Sequence, residues 1–432
     1  MKNEKMKDSN LPLEAEEKRY ISQFTGLRHR ALARRKIREL KECDDLSTAR
    51  IDPNLKRYVD VLRNSRERQQ SEITYSEILL FLFTIAVYMK TVYPTISGGD
   101  SGELVVAACN LGAAHPPGYP TWTLLTALAI RIPIGTSPAW RANLMSCILD
   151  AAASTLICIT VRKRVKNVYA GILAAGLFSF SPTIWLYAVQ AEVFALNNFL
   201  VALVLYLYDR FEIESNTERM IATSRWGTFV CALALTNQHT TLFLVAPIAF
   251  RVLWKLRKVL TLNLFLQLTF FGLLGLSPYL YLPITTSHQV KDGWGDMTTM
   301  RGFLKHFLRE EYGTFQLTDG GVDDSIYVWY RLADYVRSVF FEEGPFVVLP
   351  LACFGIVGRR QVRYVIPLIC FAIHLSVLSY LANMDTNRAL MRGVYVSYRS
   401  FILKEMMNLS LFFLYSHVAL NTIQVPQVLA TG

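Results

Sequence analysis

The sequence predicts an all-α polytopic membrane protein: a transmembrane helical bundle with two large loops on one side and a juxtamembrane helix. Three observations predict it. Apolar residues (Ala, Val, Ile, Leu, Met, Phe, Trp, Tyr, Cys) make up 52% of the 432 residues and charged residues only 18%, against about 25% charged in soluble domains. Apolar runs approach the roughly 20 residues that a helix needs to cross a bilayer core. Outside the first 77 residues, basic clusters sit at the ends of those runs, where the positive-inside rule places cytoplasmic loops. The net charge of +11 therefore reads as membrane topology, and no nucleic-acid partner is expected.

Each element follows in order. Residues 1–77 form a polar, basic head with "RHRALARRKIR" and "NSRERQQ", expected to be largely disordered. The first span is 78–95, an uncleaved signal-anchor that leaves the N-terminus cytoplasmic and brings residue 96 out on the luminal side. Next come the apolar runs 119–135 and 139–161, followed at once by "RKRVK". If both crossed, those basic residues would fall in the lumen. One crossing is expected, so 119–135 lies at the luminal surface as a juxtamembrane or re-entrant helix, and 96–138 is one large luminal loop.

The same parity sends 168–187 up, turns the chain at "VQAEVFALNN", and brings 195–208 down. Two short helices turning at "TNQH" keep both flanking basic clusters cytoplasmic, and 259–284 rises again. A second large luminal loop runs from 285 to 344, and 346–358 and 363–382 are the last spans before a weaker apolar run at 409–420. The catalytic-size unit is thus 78–385, with a divergent tail at 386–432. Cysteines such as Cys147, Cys158, Cys231 and Cys370 lie inside apolar segments without metal-ligand spacing, which reads as small buried hydrophobes.

Polar residues gather on one side of this layout. In "GGDSGEL", Asp100 and Ser101 stand where a helix begins, and Glu103 falls in its first turn. Two compatible readings stand: a capping box, or a pair of carboxylates held for acid–base work. "HPPGYP" follows in the same loop. Its prolines are expected to keep the chain extended and to aim the next helix into the interface, with Tyr119 and Trp122 at headgroup level. His115 is either a structural residue of this turn or part of the cleft. Glu192, Gln238 and His239 lie at the next two luminal turns. The second loop adds Trp294 and Asp296. There Arg301, Lys305 and Arg309 repeat every four residues, as a basic stripe for an anionic ligand or as a solvated helix face. No metal signature, Walker loop or nucleotide fingerprint occurs, so no metal or cofactor is expected. A donor activated elsewhere and carried on a lipid accounts for the missing nucleotide motif.

With these residues in hand, the chain resembles membrane glycosyltransferases of the GT-C class, in which acidic residues follow the first span. More closely, "YPTISGGDSGELVVAACNLGAAHPPGYPTW", "ALTNQHTT" and "GDMTTMRGFLKHFLREEYGTF" resemble the transmembrane protein 260 family over about residues 75–385. That resemblance implies a GT-C-like bundle in the endoplasmic-reticulum membrane. It also implies O-mannosylation of luminal IPT-type domains of plexins and growth-factor receptors, with dolichyl phosphate mannose as lipid-linked co-substrate. By position, Asp100 matches the first-loop acid taken as the base. Glu103 stands three residues away, whereas related O-mannosyltransferases carry adjacent acids. His115, Glu192, Gln238, His239, Trp294, Asp296, Arg301 and Arg309 are then expected to line the donor and acceptor site. The alternatives are a transporter or lipid scramblase, which needs ionisable residues along the spans, and a truncated inactive relative.

Overall fold

A computed structural model describes residues 56–288 and 293–310, with short pieces at 17–18, 20–21 and 33–37 and residue 333. The spans expected at 346–358 and 363–382, the run at 409–420 and most of the second loop lie outside the described residues. The chain divides into two units, 1–79 and 80–432. In the first, Tyr20, Ala33, Ile37, Val59 and Leu62 are buried.

Every described element is a helix. The first, α1, is Lys56–Thr91. It reaches back into the head that was expected to be largely disordered, because "RNSRERQQSE" is rich in good helix formers. It also stops at Thr91, before Pro94, rather than running to 95. Helix α2 is Ser101–Asn110 and ends at Leu111 in the left-handed conformation. Helix α3 is Pro120–Arg131, with proline in the first turn where its missing N–H costs nothing. Its 12 residues span about 18 Å, short of a hydrocarbon core about 30 Å thick.

Helix α4 (Pro138–Val165) is capped by the Ser137 hydroxyl, and α5 (Val168–Ser179) by Asn167. Pro182 then opens α6 (Pro182–Ala188) at 72° to α5, which makes a bent pair. Helix α7 is Val193–Ile213. "TNQH" breaks the following apolar stretch into α8 (Thr217–Leu235) and α9 (Leu242–Leu256), joined through a 3₁₀ turn at His239–Thr241. Helix α10 (Leu262–Leu276) leads through a second 3₁₀ turn into α11 (Tyr281–Ser287), and α12 is Met300–Phe307. Among the described residues, four stretches are long and apolar enough to cross a membrane: Pro138–Arg164, Val193–Ile213, His239–Leu256 and Leu262–Ser287. The bent pair makes up to five. Helix α1 is not among them, because an 18-residue stretch ending at Thr91 takes in polar residues such as Glu77 and Lys90.

Helix α4 packs against α5 and α7, and α8 packs between α7 and α10. Small residues allow this close approach: a Cβ on Gly171 would meet the Cys158 carbonyl at 2.6 Å. Leu196, Leu200, Val204 and Leu205 of α7 bury against Trp122, Met145, Val230 and Ile248. Large apolar side chains such as Phe250, Leu262, Phe270 and Leu273 point outward instead, as a lipid-facing surface does.

Two buried hydrogen-bonding side chains then place the loops. Asn143 Nδ2 donates to the Tyr93 and Thr95 carbonyls at 2.8 and 2.9 Å, and its Oδ1 accepts from the Ala191 N–H at 2.7 Å. The indole of Trp122 donates to the Glu192 carbonyl at 3.0 Å. Trp122 is thus fully buried within the protein. The chain after α1, helix α3 and the turn before α7 are pinned together at one end of the bundle.

Candidate active site

That end collects three carboxylates. Asp100 stands at the N-cap position of α2, but its side chain makes no capping bond. The capping box expected from the sequence does not form, because Glu103 turns the other way. Its Oε1 accepts the His115 backbone N–H at 2.7 Å, and both its oxygens lie 3.0–3.1 Å from His115 Nδ1. His115 Nε2 faces Asp100 Oδ2 at 3.8 Å. Nor is the proline segment extended. Residues His115 to Gly118 close a turn, with the Gly118 N–H donating to the His115 carbonyl at 2.8 Å.

Glu192 comes from the turn before α7. Its Oε1 accepts the Asp100 backbone N–H at 3.1 Å. The approach is tight: Gly99 has φ +74, and a Cβ there would sit 3.0 Å from Glu192 Oε1. Glycine meets both demands at once.

The three acids differ in environment. Glu192 is buried, and burial, then the charge of Asp100, pushes its carboxyl up to about 8. Burial also acts upward on Glu103, but the His115 hydrogen bonds and charge, with one from Trp294, outweigh it and hold Glu103 below the usual range. Asp100 is the open one: its side chain is 48% exposed, against 32% for Glu103. Tyr119 and Trp294 stand edge-on to the His115 ring, at 5.2 and 6.3 Å between centroids. Burial raises the Tyr119 hydroxyl above its ordinary value, and Arg309 opposes that rise.

Arg309 does not belong to a helical stripe. Helix α12 ends at Phe307, and Arg309 follows in the left-handed conformation, φ 58. This turn takes it off the face that Arg301 and Lys305 share, both of them exposed, and brings its charge within range of Tyr119 and His239. Beside it, the Tyr279 hydroxyl donates to the Leu235 carbonyl at 3.0 Å, so His239 Nε2 supplies the proton of their 2.6 Å contact. Trp294 also walls an open cleft of about 440 Å³ with Ala113, Thr285, Thr286 and Asp296. Among the described residues, no three His, Cys, Asp or Glu side chains are placed to hold a metal.

Residues 100–261 match the model of the protein O-mannosyl-transferase TMEM260 N-terminal domain. The chain is 38% identical over 355 residues to protein O-mannosyl-transferase tmem260 of Dictyostelium discoideum, covering 74% of this chain and 42% of that protein. It is also 38% identical over 326 residues to the Mus musculus protein of that name, covering 73% and 46%. The chain belongs to the TMEM260 family. It spans less than half the length of these curated relatives. Its fold resembles the crystal structure of ArnT from Cupriavidus metallidurans bound to undecaprenyl phosphate. The TM-score is 0.55 at 13% identity, over 80% of this chain and 63% of that one. The architecture is therefore a GT-C-type helical bundle.

Within this member of the family, the structure brings together Asp100, Glu103, His115, Glu192 and Trp294, with the charge of Arg309 in range of both Tyr119 and His239. Others are placed differently. Asp296 is exposed and accepts from the Thr298 N–H and hydroxyl at 3.0 and 2.6 Å, so it shapes a turn. Arg301 is an exposed side chain of α12, and the Gln238 backbone serves the 3₁₀ turn, bonding Ala234 and Thr241. Sequence reasoning missed Asn143 and Tyr279, and gave His306 no place in the site. An asparagine inside an apolar span is a signal for the first. His306 is buried, and the Cβ positions of Gly118 and Gly295 each lie 3.1 Å from its ring. No sequence pattern marks that contact.

Proposed function

We propose that this protein is an O-mannosyltransferase of the endoplasmic-reticulum membrane, with its N-terminus cytoplasmic and the acidic end luminal. It transfers mannose from dolichyl phosphate mannose to Ser or Thr hydroxyls of IPT-type domains in plexins and growth-factor receptors. The relatives' names and the GT-C architecture support transfer, and a fold neighbour bound to a polyprenyl phosphate supports a lipid-linked donor.

One observation carries the reading: of the three clustered carboxylates, Asp100 is the most exposed, it makes no capping hydrogen bond, and its side chain meets His115 only at 3.8 Å. Glu103 is held by His115, and Glu192 is buried, its carboxyl pushed up to about 8. The acceptor hydroxyl oxygen bonds to C1 of mannose while the C1–O bond to phosphate breaks, its electron pair leaving with the phosphate. Asp100 takes the hydroxyl proton, and Arg309 stabilises the charge that grows on the phosphate. The chemistry needs a carboxylate that a substrate can reach, and Asp100 is more exposed than Glu103 or Glu192.

The test is mannose transfer from dolichyl phosphate mannose to an isolated IPT domain by the purified protein. Transfer is expected from the wild type and not from Asp100→Asn. Absence of transfer under conditions where a full-length relative is active would overturn the reading. Donor-lipid flux in proteoliposomes without acceptor would favour the transporter instead.

A further inference from the structure

Glu103 and His115 have no task in the step just described, yet they are the most firmly bonded pair at the site. Glu103 contacts His115 three times, through the backbone N–H at 2.7 Å and through Nδ1 at 3.0 and 3.1 Å. An ionised carboxylate only accepts hydrogen bonds. With Glu103 ionised, Nδ1 carries the ring proton. The neutral imidazole then has its lone pair on Nε2, the atom that faces Asp100 Oδ2 at 3.8 Å. Tyr119 and Trp294 both pack T-shaped against the ring, and only 12% of the His115 side chain is exposed.

We propose that Glu103 and His115 form a proton relay behind Asp100, an inference that rests on the transferase reading. After Asp100 has taken the acceptor's proton, that proton passes from the carboxyl oxygen to His115 Nε2. The Asp100 O–H bond breaks and the Nε2–H bond forms. Asp100 returns to its charged form, and the resulting imidazolium is held between two carboxylates. The proton then leaves to water, and the ring is reset. The 3.8 Å separation is that of an unliganded site, where catalytic hydrogen bonds are often long and tighten with substrate. Glu103 and His115 are positioning residues: they act through Asp100. This arrangement also explains why Glu103 lies three residues from Asp100 rather than next to it. One helical turn puts its carboxylate on the far side of the imidazole.

The charged and titratable groups facing His115 are Asp100 and Glu103 on α2. Glu192 from the turn before α7 lies beside Asp100, and Tyr119 before α3 lies within range of the charges of Asp100, Glu103, Glu192 and, after α12, Arg309. Removing the Glu103 charge takes away an anion that favours the imidazolium, so the relay's titration moves to lower pH. Activity needs a neutral ring, so the acid limb of kcat moves the same way.

The experiment compares wild type, His115→Gln, Glu103→Gln and Asp100→Asn for kcat and KM across pH with dolichyl phosphate mannose and an IPT domain. The relay predicts that His115→Gln lowers kcat about 10²-fold, leaves both KM values within about twofold, and abolishes the acid limb. Glu103→Gln, which keeps a hydrogen-bond acceptor, loses about tenfold and shifts that limb downward. An unchanged pH profile in His115→Gln, with Asp100→Asn inactive, would overturn the relay and leave the transferase reading intact. A ¹⁵N spectrum of histidine-labelled protein, with the His115 signal assigned by its loss in His115→Gln, needs no turnover. A neutral ring protonated at Nδ1, titrating lower in Glu103→Gln, supports the relay. A ring protonated at Nε2 overturns it even if no transfer is found.

Discussion

The two ends of α7 hold charge in opposite ways. At its C-terminal end, opposite charges are paired. Arg164 of α4 binds Asp209, both nearly buried. Arg251 of α9 binds Glu212 at 3.0 Å, and Lys255 donates to the Phe211 and Glu212 carbonyls at 2.8 and 2.9 Å. At its N-terminal end, roughly 30 Å away along 21 residues, three acidic side chains are gathered with no basic partner among them: Asp100, Glu103 and Glu192. In the first arrangement each charge has an opposite partner. In the second, Asn143, Trp122 and Gly99 hold the loops that bring the acids together. A cluster of acids that the fold must restrain is where altered proton affinities arise, and altered proton affinities are a mark of function.

Breaking each end should therefore give different phenotypes. The largest effect is expected from Asp100→Asn: transfer falls by about 10²- to 10⁴-fold, while thermal unfolding in detergent is unchanged. A simultaneous loss of melting temperature would mean that Asp100 belongs to the fold. Asp209→Ala should do the reverse. It leaves Arg164 without its carboxylate, costs about 3–5 kcal/mol of stability, and preserves the transfer rate per folded molecule. Unfolding curves alongside single-turnover rates decide this.

Arg309→Ala comes next, with kcat down by about 10²-fold and partial recovery in Arg309→Lys, since a point charge replaces part of the fork. Equal activity would place the leaving phosphate elsewhere. Glu192→Gln gives a smaller, pH-dependent change. The folded carboxyl titrates near 8 against about 4.3 unfolded. Its contribution is therefore present below the unfolded value and is lost as pH rises through 8. The glutamine variant lacks that loss, so its melting temperature should match wild type near pH 4 and exceed it above pH 8. Parallel curves would show that Glu192 is not buried neutral. Last, Arg301→Ala should leave kcat and KM within about twofold, because its exposed side chain shares no turn with the acids. A loss as large as that of Arg309→Ala would restore the helical stripe.

Much of the bundle was legible in the amino-acid order because its signals are local. Apolar length marks the spans, Pro120, Pro138 and Pro182 open helices, Asn167, Asn216 and Thr261 cap them, and "TNQH" breaks α8 from α9. The acids were legible too, as charges just beyond an apolar run. Their roles were not. Asp100 and Glu103 carry the spacing of a capping box, and the capping reading failed because His115, twelve residues on, offers Glu103 a backbone N–H and a ring nitrogen together. Arg309 carries the spacing of a stripe, and lost it when α12 ended two residues earlier.

Composition and periodicity alone thus determined a helical membrane protein with polar chemistry gathered in its loops, since burial in lipid demands internally bonded helices whatever their partners. Only the tertiary structure decided which acid is open, which is buried and which holds a histidine. Those states depend on burial and on hydrogen bonds between residues such as Asp100 and Glu192, 92 positions apart, and no local pattern encodes a distance that the packing of other helices sets.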